Sequence, residues 1–448
     1  MGASVRAVVN PSSLSQSVHS VHSMPAGPNA SDPLTAPDAG ARSARRHPAG
    51  SKGSPLPVTI RGVRVAIISE SFLPQVNGVT NSILRILEHL RAHGHQAVVL
   101  APGDPAEAPR QYAGFPVITL SSVTWPGYPD VRVSTTPQWT LERYLNDFGP
   151  DVVHLASPFM IGYKGALAAA TLGIPAVAIY QTDIPSYAGR YGLGHLEFYG
   201  WYRVRQIHSL VVATYAPSTY SRDQLVSHGV PRVGIWGRGV DKVRFDPQKR
   251  SPELRERWAP DGETIIGYMG RLATEKRVKD MAALRGIPGT RIVIIGHGPD
   301  REDLEREIPE AVFTGGLTGE DLPRALASMD IFCSTGELET FCQAVQEAKA
   351  SGLPVISPRR GGPIDLIDPS RTGWLYEPGD MAEFRRHVQD LAGDPYKRAA
   401  MGRAARASIE NRTWEHLCGE LLEHYREAVR VGSLSSGAGS ATGTQQLA

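Results

Sequence analysis

Basic residues follow a predicted strand in the second half of the chain, where they could bind a phosphate group. The strand over residues 264–269 leads into Gly270 and Arg271, and the same loop continues to Lys276. A guanidinium and an ammonium both stay charged at neutral pH and donate hydrogen bonds that suit a diphosphate. A solvated basic loop, with Glu275 paired locally, explains the same residues. The residues of this loop alone therefore do not distinguish a phosphate site from a solvated surface loop, and the neighbouring motifs must decide.

Two glutamates, Glu339 and Glu347, are separated by seven residues where a loop leads into a predicted helix. At about 3.6 residues per turn, we expect Glu339 near the helix N-terminus and Glu347 roughly two turns inside, both facing one cleft. A carboxylate accepts hydrogen bonds from the vicinal hydroxyls of a sugar, and the amides of Phe341, Cys342 and Gln343 suit phosphate or sugar oxygens. Two glutamates on one helix are otherwise common.

Two glycine-containing loops and three polar residues also follow predicted strands. Gly78 opens a helix whose first amides could bind an anion, and Gly296 allows close backbone approach to a ligand, although ordinary tight turns explain both. His154 ends one predicted strand, and Gln181 and Asp183 follow the next. We expect these polar residues to face the same cleft, although a core or turn histidine is the favoured interpretation of His154 taken alone, and helix capping is the alternative for Asp183.

The sequence contains no Asp-x-Asp pair, the usual carboxylate arrangement that holds a divalent metal beside a sugar-nucleotide diphosphate. Its absence favours metal-free stabilisation of a leaving diphosphate by Arg271 and Lys276. Neither a dinucleotide fingerprint nor a P-loop is present.

The overall composition fits a multidomain globular protein. The chain has 448 residues, 41% of them hydrophobic, which is enough for two to four domains with full cores. A net charge of +2 does not give the chain the strongly positive electrostatic potential that is typical of nucleic-acid-binding proteins. Three cysteines without C-x-x-C spacing exclude a disulfide framework. No run approaches the ~18 apolar residues of a spanning helix, and no secretory signal is recognisable, so we expect a cytosolic protein.

Short apolar runs rich in Val and Ile alternate with helical patterns, which predicts an α/β protein with two tandem, doubly wound parallel sheets. Ligands in such folds collect beyond the carboxyl ends of the strands, here in a cleft between the domains. The sequence predicts a disordered extension 1–57, domains 58–238 and 239–412, a helix 413–430, and a disordered tail 431–448. A third of residues 1–57 is Ser or Pro, and a transit peptide is the alternative interpretation of this segment.

Taken in order, these motifs resemble those of glycosyltransferase family 4, whose members are retaining enzymes of GT-B fold that use nucleotide-activated sugars. The resemblance spans about residues 62–430. More narrowly, segments 70–81, 180–183, 236–241 and 339–347 look like those of bacterial GDP-mannose-dependent α-mannosyltransferases that extend glycolipids, and plant-type sulfoquinovosyl transferases look similar. The resemblance also implies that the C-terminal helix crosses back toward the first domain.

The resemblance implies roles for individual residues. Arg271 and Lys276 would hold the diphosphate, Glu347 the ribose hydroxyls, and Glu339 the hydroxyls of the donor sugar. The remaining donor-site residues would be Gly78, Gly270, Gly296, Phe341, Cys342 and Gln343. His154, Gln181 and Asp183 would lie on the acceptor side. Many family members have His at the position of Gln181, which leaves Asp183 the better candidate beside the sugar, so Arg271, Lys276, Glu339 and Asp183 are the predicted catalytic residues.

The implied activity is the transfer of a hexose, mannose from GDP-mannose in the first instance, to a glycolipid with retention at the anomeric carbon. The implied partners are the nucleotide-sugar donor and a lipid-linked acceptor, with no cofactor, no tightly bound metal and no nucleic acid. The alternatives are a UDP-sugar transferase, a GT-B sugar-nucleotide epimerase, and a non-catalytic nucleotide-sugar binding protein.

The predicted helix over residues 195–208 mixes aromatic residues with Arg203 and Arg205. Its apolar residues do not form a clean stripe, which favours a buried helix whose aromatics fill the core. The alternative is an interfacial helix that contacts an anionic membrane reversibly, at the inner face of the plasma membrane.

Overall fold

The computed structural model of the chain describes residues 62–125, 128–183, 185 and 194–440. The predicted disordered extension 1–57 and the last eight residues, 441–448, lie outside the described residues.

The first domain is an α/β domain built on one large, mostly parallel sheet. Its strands are β1 (Arg64–Ser69), β2 (Gln96–Pro102), β3 (Gln111–Tyr112), β4 (Phe115–Leu120), β5 (Ser122–Trp125), β6 (Tyr128–Ser134), β7 (Val152–Ala156), β8 (Ala176–Ile179), β9 (Ala213–Ala216) and β10 (Val233–Ile235). Its helices are α1 (Gly78–Ala92), α2 (Gln138–Phe148), α3 (Ile161–Thr171), α4 (Gly194–Ser209) and α5 (Thr219–Ser227).

Eight of these strands form the sheet, in the order β10-β9-β8-β7-β1-β2-β4-β3. The central strand β1 is apolar and buried from Val65 to Ile68, as expected where helices cover both faces of a parallel sheet. The antiparallel additions, β3 on β4 and the separate β5–β6 hairpin, were not predicted.

The second domain repeats the architecture with a six-stranded parallel sheet. Its strands are β11 (Thr264–Met269), β12 (Thr290–Ile295), β13 (Val312–Gly315), β14 (Ile331–Cys333), β15 (Val355–Pro358) and β16 (Gly373–Tyr376). Its helices are α6 (Pro252–Trp258), α7 (Arg301–Glu307), α8 (Asp321–Ala327), α9 (Gln343–Ala350), α10 (Pro363–Leu366), α11 (Met381–Gly393) and α12 (Pro395–Ser408), with 3₁₀ turns at Pro247–Lys249, Thr274–Lys276 and Val278–Leu284. The strand order is β13-β12-β11-β14-β15-β16, so two doubly wound sheets are confirmed.

The last helix, α13 (Trp414–Ser440), returns to the first domain and packs against α1, β7 and β8. Thr413 accepts a hydrogen bond from the amide of His416, which caps the helix start. Leu421 and Tyr425 lie in the same apolar core as β1. The prediction that the helix ends at residue 430 and a disordered tail follows was wrong for residues 431–440, which continue the helix. No proline interrupts this stretch. Gly432 lies close to the first domain, since a Cβ at this position would be 3.1 Å from the ring of Pro175.

The chain passes between the domains twice, and the two crossings lie side by side. The amide of Val240 donates to the carbonyl of Arg412 at 2.9 Å, and Val240 also forms a parallel bridge with Thr413. A Cβ on Gly239 would lie 2.4 Å from the backbone nitrogen of Trp414. This close approach requires glycine at position 239.

Among the residues that the structure describes, none of the helices is both long enough and apolar enough to cross a bilayer.

Candidate active site

Strands β11 and β12 end side by side, which places Gly270 next to Gly296. Gly296 has a φ of +147°, and a Cβ there would lie 1.9 Å from the carbonyl oxygen of Gly270. The amide of Gly270 in turn donates to the carbonyl of Ile295 at 3.0 Å. Close strand packing therefore explains why glycine occupies position 296, and contact with a donor remains a prediction for both residues.

The structure joins the predicted basic loop to the predicted acidic loop. The Lys276 ammonium lies 2.6 Å from the Glu339 carboxylate, and the hydroxyl of Thr335 donates to the carbonyl of Lys276 at 2.7 Å. Arg271 is exposed, and no carboxylate among the described residues forms an ion pair with it. Two cations and one sugar-binding candidate thus lie at the carboxyl edge of the second sheet.

Glu339 lies in a loop rather than on the helix, because α9 begins only at Gln343. Cys342 takes a left-handed conformation, with φ +72°, just before the helix. Glu347 is therefore a little over one turn inside the helix, and the prediction of two turns was wrong. The side chains of Phe341 and Cys342 are buried, and burial raises the pKa of the Cys342 thiol to about 12, so only their backbone groups could contact a donor.

A glycine pair supports the Glu339 loop and was missed in the sequence. The amide of Gly362 donates to the carbonyl of Glu339 at 2.7 Å. A Cβ on Gly361, whose φ is +72°, would lie 2.6 Å from the same oxygen. A Gly-Gly-Pro sequence that begins a few residues after a predicted strand is the signal that could have revealed this turn.

A cavity of about 200 Å³ lies between the two domains. Gly78, Arg85 and Tyr112 line it from the first domain, and Gln343 and Glu347 from the second. The pair of Lys276 with Glu339 is not part of the cavity lining. The predicted donor residues therefore fall into two neighbouring groups.

Arg238 connects these two groups and was not predicted as a site residue. It lines the cavity, it is buried, and its guanidinium donates to the side-chain carbonyl of Gln181 at 2.6 Å. Burial lowers its pKa to about 10 against the opposing effect of the Glu339 carboxylate, so Arg238 stays charged at neutral pH. A Cβ on Gly78 would lie 2.6 Å from the guanidinium, so glycine leaves room for Arg238.

The N-terminus of α1 is already capped by the protein. The side-chain oxygen of Asn77 accepts hydrogen bonds from the amides of Val79 and Thr80, both at 2.9 Å. An anion at this helix start would have to rely on the amide of Gly78 or displace Asn77. The start of α1 therefore offers fewer free amides to an anion than the sequence indicated.

The carboxyl of Glu347, which lines the cavity, has a pKa well above its ordinary value. Burial raises the pKa of its carboxyl to about 7, although Arg244 and a hydrogen bond from Gln343 oppose the shift. A carboxyl with this pKa is only half ionised at neutral pH.

Of the three predicted acceptor-side residues, Gln181 and Asp183 lie close together, and His154 lies apart from them. Asp183 is buried and accepts hydrogen bonds from the Tyr180 hydroxyl at 3.0 Å and the Gln224 amide at 2.9 Å. The backbone carbonyl of Gln181 accepts from the Thr340 hydroxyl of the second domain at 2.9 Å. Gln181 therefore lies where the domains meet, whereas the hydrogen bonds of Asp183 join it to its own domain.

The interpretation of His154 as a core histidine is confirmed, and its assignment to the acceptor side of the cleft was wrong. It lies inside β7, is fully buried, and shares a 2.6 Å hydrogen bond with the hydroxyl of Tyr425 on α13. Burial lowers its pKa to about 3, so the imidazole is neutral. The strand continues to Ala156, and His154 therefore faces the crossover helix in the core.

Helix α4 is amphipathic, so the prediction of a buried helix was correct for only one face. Trp201, Val204 and Ile207 are buried at i, i+3 and i+6. The opposite face exposes aromatic side chains: Phe198 (81% exposed), Tyr199 (52%) and Tyr202 (44%).

The two predicted cationic residues of α4 differ in their surroundings. The Arg203 guanidinium lies 4.2 Å from the ring centre of Tyr163 and donates to the Tyr199 hydroxyl, so it packs on its own domain. Arg205 is exposed and, with Phe198, lines a surface pocket of about 410 Å³.

Comparison with solved structures shows the fold. HepE of Anabaena, solved in complex with UDP, has a TM-score of 0.67 at 17% identity and covers 82% of this chain and 100% of its own. Sucrose-phosphate synthase of Thermosynechococcus elongatus gives the same TM-score, identity and coverage. The two facing Rossmann-like domains, with the candidate site between them, form a GT-B fold.

Sequence comparison defines the family. The profile described as "Glycosyltransferase Family 4" matches residues 76–244, and "Glycosyl transferases group 1" matches residues 250–408. The "GDP-mannose-dependent alpha-mannosyltransferase" of Mycobacterium tuberculosis is 48% identical over 82% of this chain and 97% of its own length. The Corynebacterium glutamicum protein of the same name is 45% identical over 83% and 91%. The chain belongs to glycosyltransferase family 4.

Proposed function

We propose that this glycosyltransferase transfers mannose from GDP-mannose to a glycolipid acceptor, with retention at the anomeric carbon. The observation that carries the proposal is the near-half identity, over most of the chain, with three bacterial relatives named GDP-mannose-dependent alpha-mannosyltransferase. The joined Lys276 and Glu339 support it, because a diphosphate-binding cation and a sugar-binding carboxylate are needed side by side at the scissile bond.

In the proposed reaction, the acceptor hydroxyl oxygen bonds to the anomeric carbon as the bond from that carbon to the diphosphate oxygen breaks. The hydroxyl proton passes to the departing diphosphate on the same face of the sugar. Arg271 and Lys276 offset the negative charge that grows on the diphosphate. This charge stabilisation needs neither a protein nucleophile nor a metal ion.

The donor would extend across both groups of residues. Glu339 would accept hydrogen bonds from the hydroxyls of mannose, and Glu347 from those of the ribose. Arg238 is a fixed positive charge between them, so it would attract the diphosphate from the side of the first domain. Asp183 already accepts two hydrogen bonds, so we assign it to orienting the Gln181 loop and the acceptor.

The test of the donor is a panel of sugar nucleotides, including GDP-mannose, UDP-glucose and UDP-sulfoquinovose, incubated with the protein and a membrane-lipid extract. Mass analysis should show a product heavier by one hexose with GDP-mannose alone. A product formed only from a UDP-sugar would overturn the donor assignment, and a rearranged free sugar nucleotide without an acceptor would indicate an epimerase.

We also propose that the exposed face of α4 contacts an anionic membrane surface, where a lipid acceptor would be found. Aromatic side chains beside a cation suit the boundary between headgroups and acyl chains. Since Arg203 packs on Tyr163, we assign the headgroup contact to Arg205, which would contribute about 1 kcal/mol at an anionic surface.

Vesicle co-sedimentation tests the membrane proposal. Wild type should bind anionic vesicles more than neutral ones, and Phe198→Ser with Arg205→Ser should reduce that binding while the protein remains folded. Tyr396→Ser is the matched control, because Tyr396 is an exposed aromatic (87%) in the second domain. Equal binding by wild type and the α4 double variant would place the contact elsewhere.

A further inference from the structure

Two histidines and a glutamate meet where α1 packs against α13. His89 lies in the last turn of α1, and His93, four residues later, is the C-cap residue of that helix, so the two imidazoles lie on the same side of its end. Glu415 reaches them from the first turn of α13. One carboxylate oxygen lies 3.1 Å from Nδ1 of His89, and the other lies 3.4 Å from Nε2 of His93.

The hydrogen bonds around His93 leave the Nε2 lone pair of its ring available for a shared ligand. His93 donates its Nδ1 hydrogen to the carbonyl of His89 at 2.9 Å, which leaves Nε2 unprotonated in the neutral ring. A hydrogen bond of this kind fixes the tautomer and orientation of metal-binding histidines in general. The two rings lie close together, with centroids 4.1 Å apart.

We propose that His89, His93 and Glu415 bind one divalent transition-metal ion, with Zn²⁺ as the ion that suits them. Their candidate ligand atoms all lie within 4.8 Å of one another. At metal–ligand distances near 2.0–2.1 Å, tetrahedral zinc ligands are about 3.4 Å apart, so small side-chain rotations suffice. Two imidazoles and one carboxylate leave a fourth position for water.

The proposed ion connects two elements that are far apart in sequence. His89 and His93 belong to the first domain, and Glu415 begins the helix that follows the second crossing between the domains. The adjacent residues Glu88 and Trp414 line the inter-domain cavity. The ion would therefore fix α13 on α1 beside the cavity and stabilise the folded state. The site is separate from the diphosphate-binding residues, for which no tightly bound metal was predicted.

Zinc binding by the full chain, without a histidine tag, tests the proposal. Competition with a chromophoric chelator should show one Zn²⁺ per chain, and thermal unfolding should shift to higher temperature in its presence. His93→Gln and Glu415→Gln should each weaken binding at least about tenfold, since even outer partners of a metal site contribute that much. Both side chains are well exposed, 44% for His93 and 69% for Glu415, so these variants should fold.

His416→Gln is the matched control, because His416 is an exposed histidine on α13 paired with Glu420 at 3.2 Å and lies outside the cluster. It should bind Zn²⁺ as wild type does. The three cysteines are buried and so should not compete in the folded protein. If wild type binds no more Zn²⁺ than the His93→Gln, Glu415→Gln double variant, the cluster is only a pair of ion-paired histidines and the proposal is overturned.

Discussion

Lys276 and Glu339 orient each other before any substrate arrives. An isolated lysine would sample many rotamers, whereas this one is held by a carboxylate at 2.6 Å and by the Thr335 hydroxyl on its own carbonyl. Orientation of this kind lowers the entropy cost of assembling the reacting groups. The Arg271 carbonyl also accepts a hydrogen bond, from the Tyr268 hydroxyl at 3.1 Å, but no described carboxylate pairs with its exposed guanidinium, which would be ordered by the diphosphate itself.

We predict that Lys276→Ala and Arg271→Ala each reduce turnover by about 10²–10³, because each removes one charge from the leaving diphosphate. Steady-state kinetics at saturating donor measures the effect, and circular dichroism checks the fold. Lys279→Ala is the control, since Lys279 is nearby and half exposed but paired with Asp303 at 3.6 Å. Near-normal turnover in both site variants would contradict the phosphate-binding role.

We predict that the KM for the donor rises by up to about tenfold as the pH falls from 8 to 6. Burial raises the pKa of Glu347 to about 7, so this interval protonates the carboxylate proposed to accept ribose hydrogen bonds. Glu347→Gln should remove the pH dependence, and an unchanged profile in that variant would assign it to another group.

The ionisation of Glu347 should affect donor binding and fold stability in opposite directions: higher pH favours donor binding and lowers the stability of the fold. A raised carboxyl pKa means that the folded state binds more protons than the unfolded state, so the contribution of Glu347 to stability is present at low pH and is lost as the pH rises through about 7.

The sequence identified those site residues that follow a strand, since parallel strands end at the same edge and bring their loops together. Lys276 and Glu339 meet for this reason. Arg238 could not be placed, because it lies in the connection between the domains and becomes buried only when Gln181 and Gly78 close around it. His154 was misplaced because one sequence does not show whether a strand ends at that residue or two residues later.

At the scale of elements, α13 completes the core of the first domain. Its buried stripe was predictable from helical spacing, and Trp236 donates its indole hydrogen to the carbonyl of Leu417 at 2.7 Å. The continuation to Ser440 was not predictable, because most residues of this stretch are Ser and Gly, which have low helix propensity, so packing decides. The β5–β6 hairpin was missed although its sequence carries a signal, since Ser122–Trp125 and residues 130–134 alternate polar and apolar side chains.

We predict that Tyr425→Phe lowers the free energy of unfolding by about 1–3 kcal/mol, because it leaves the buried His154 ring without its 2.6 Å hydrogen bond. Urea unfolding measures the loss. The KM for the donor should not change, because His154 lies in the core rather than at the site. Tyr396→Phe, at an exposed residue, is the control, and a selective loss of turnover in Tyr425→Phe would restore a role for His154 in the reaction.

At the scale of the whole molecule, the two domains are held against each other across the cleft. The backbone and hydroxyl of Thr219 on α5 both donate to the carboxylate of Asp365 on α10. Thr340 of the second domain donates to Gln181 of the first at 2.9 Å. These contacts use residues far apart in sequence, so neither domain taken alone would reveal them.

We predict that turnover persists in EDTA, because Arg238, Arg271 and Lys276 together supply the positive charge that a metal ion would otherwise provide. Activity assays with and without the chelator measure this below the unfolding temperature. Complete loss of activity that Mg²⁺ or Mn²⁺ restores would contradict the proposed charge stabilisation.

The paired crossings of the chain have a mechanical consequence. Because Val240 and Arg412 are hydrogen-bonded side by side, the two domains share a single pivot, and any swing of one against the other turns about it. Displacement grows with distance along the lever arm, so Thr219 and Asp365 should separate far more than the backbone beside Gly239. Distances between spin labels at the two places, measured with and without GDP, would reveal that difference, and equal changes at both would mean that the domains slide instead of swinging.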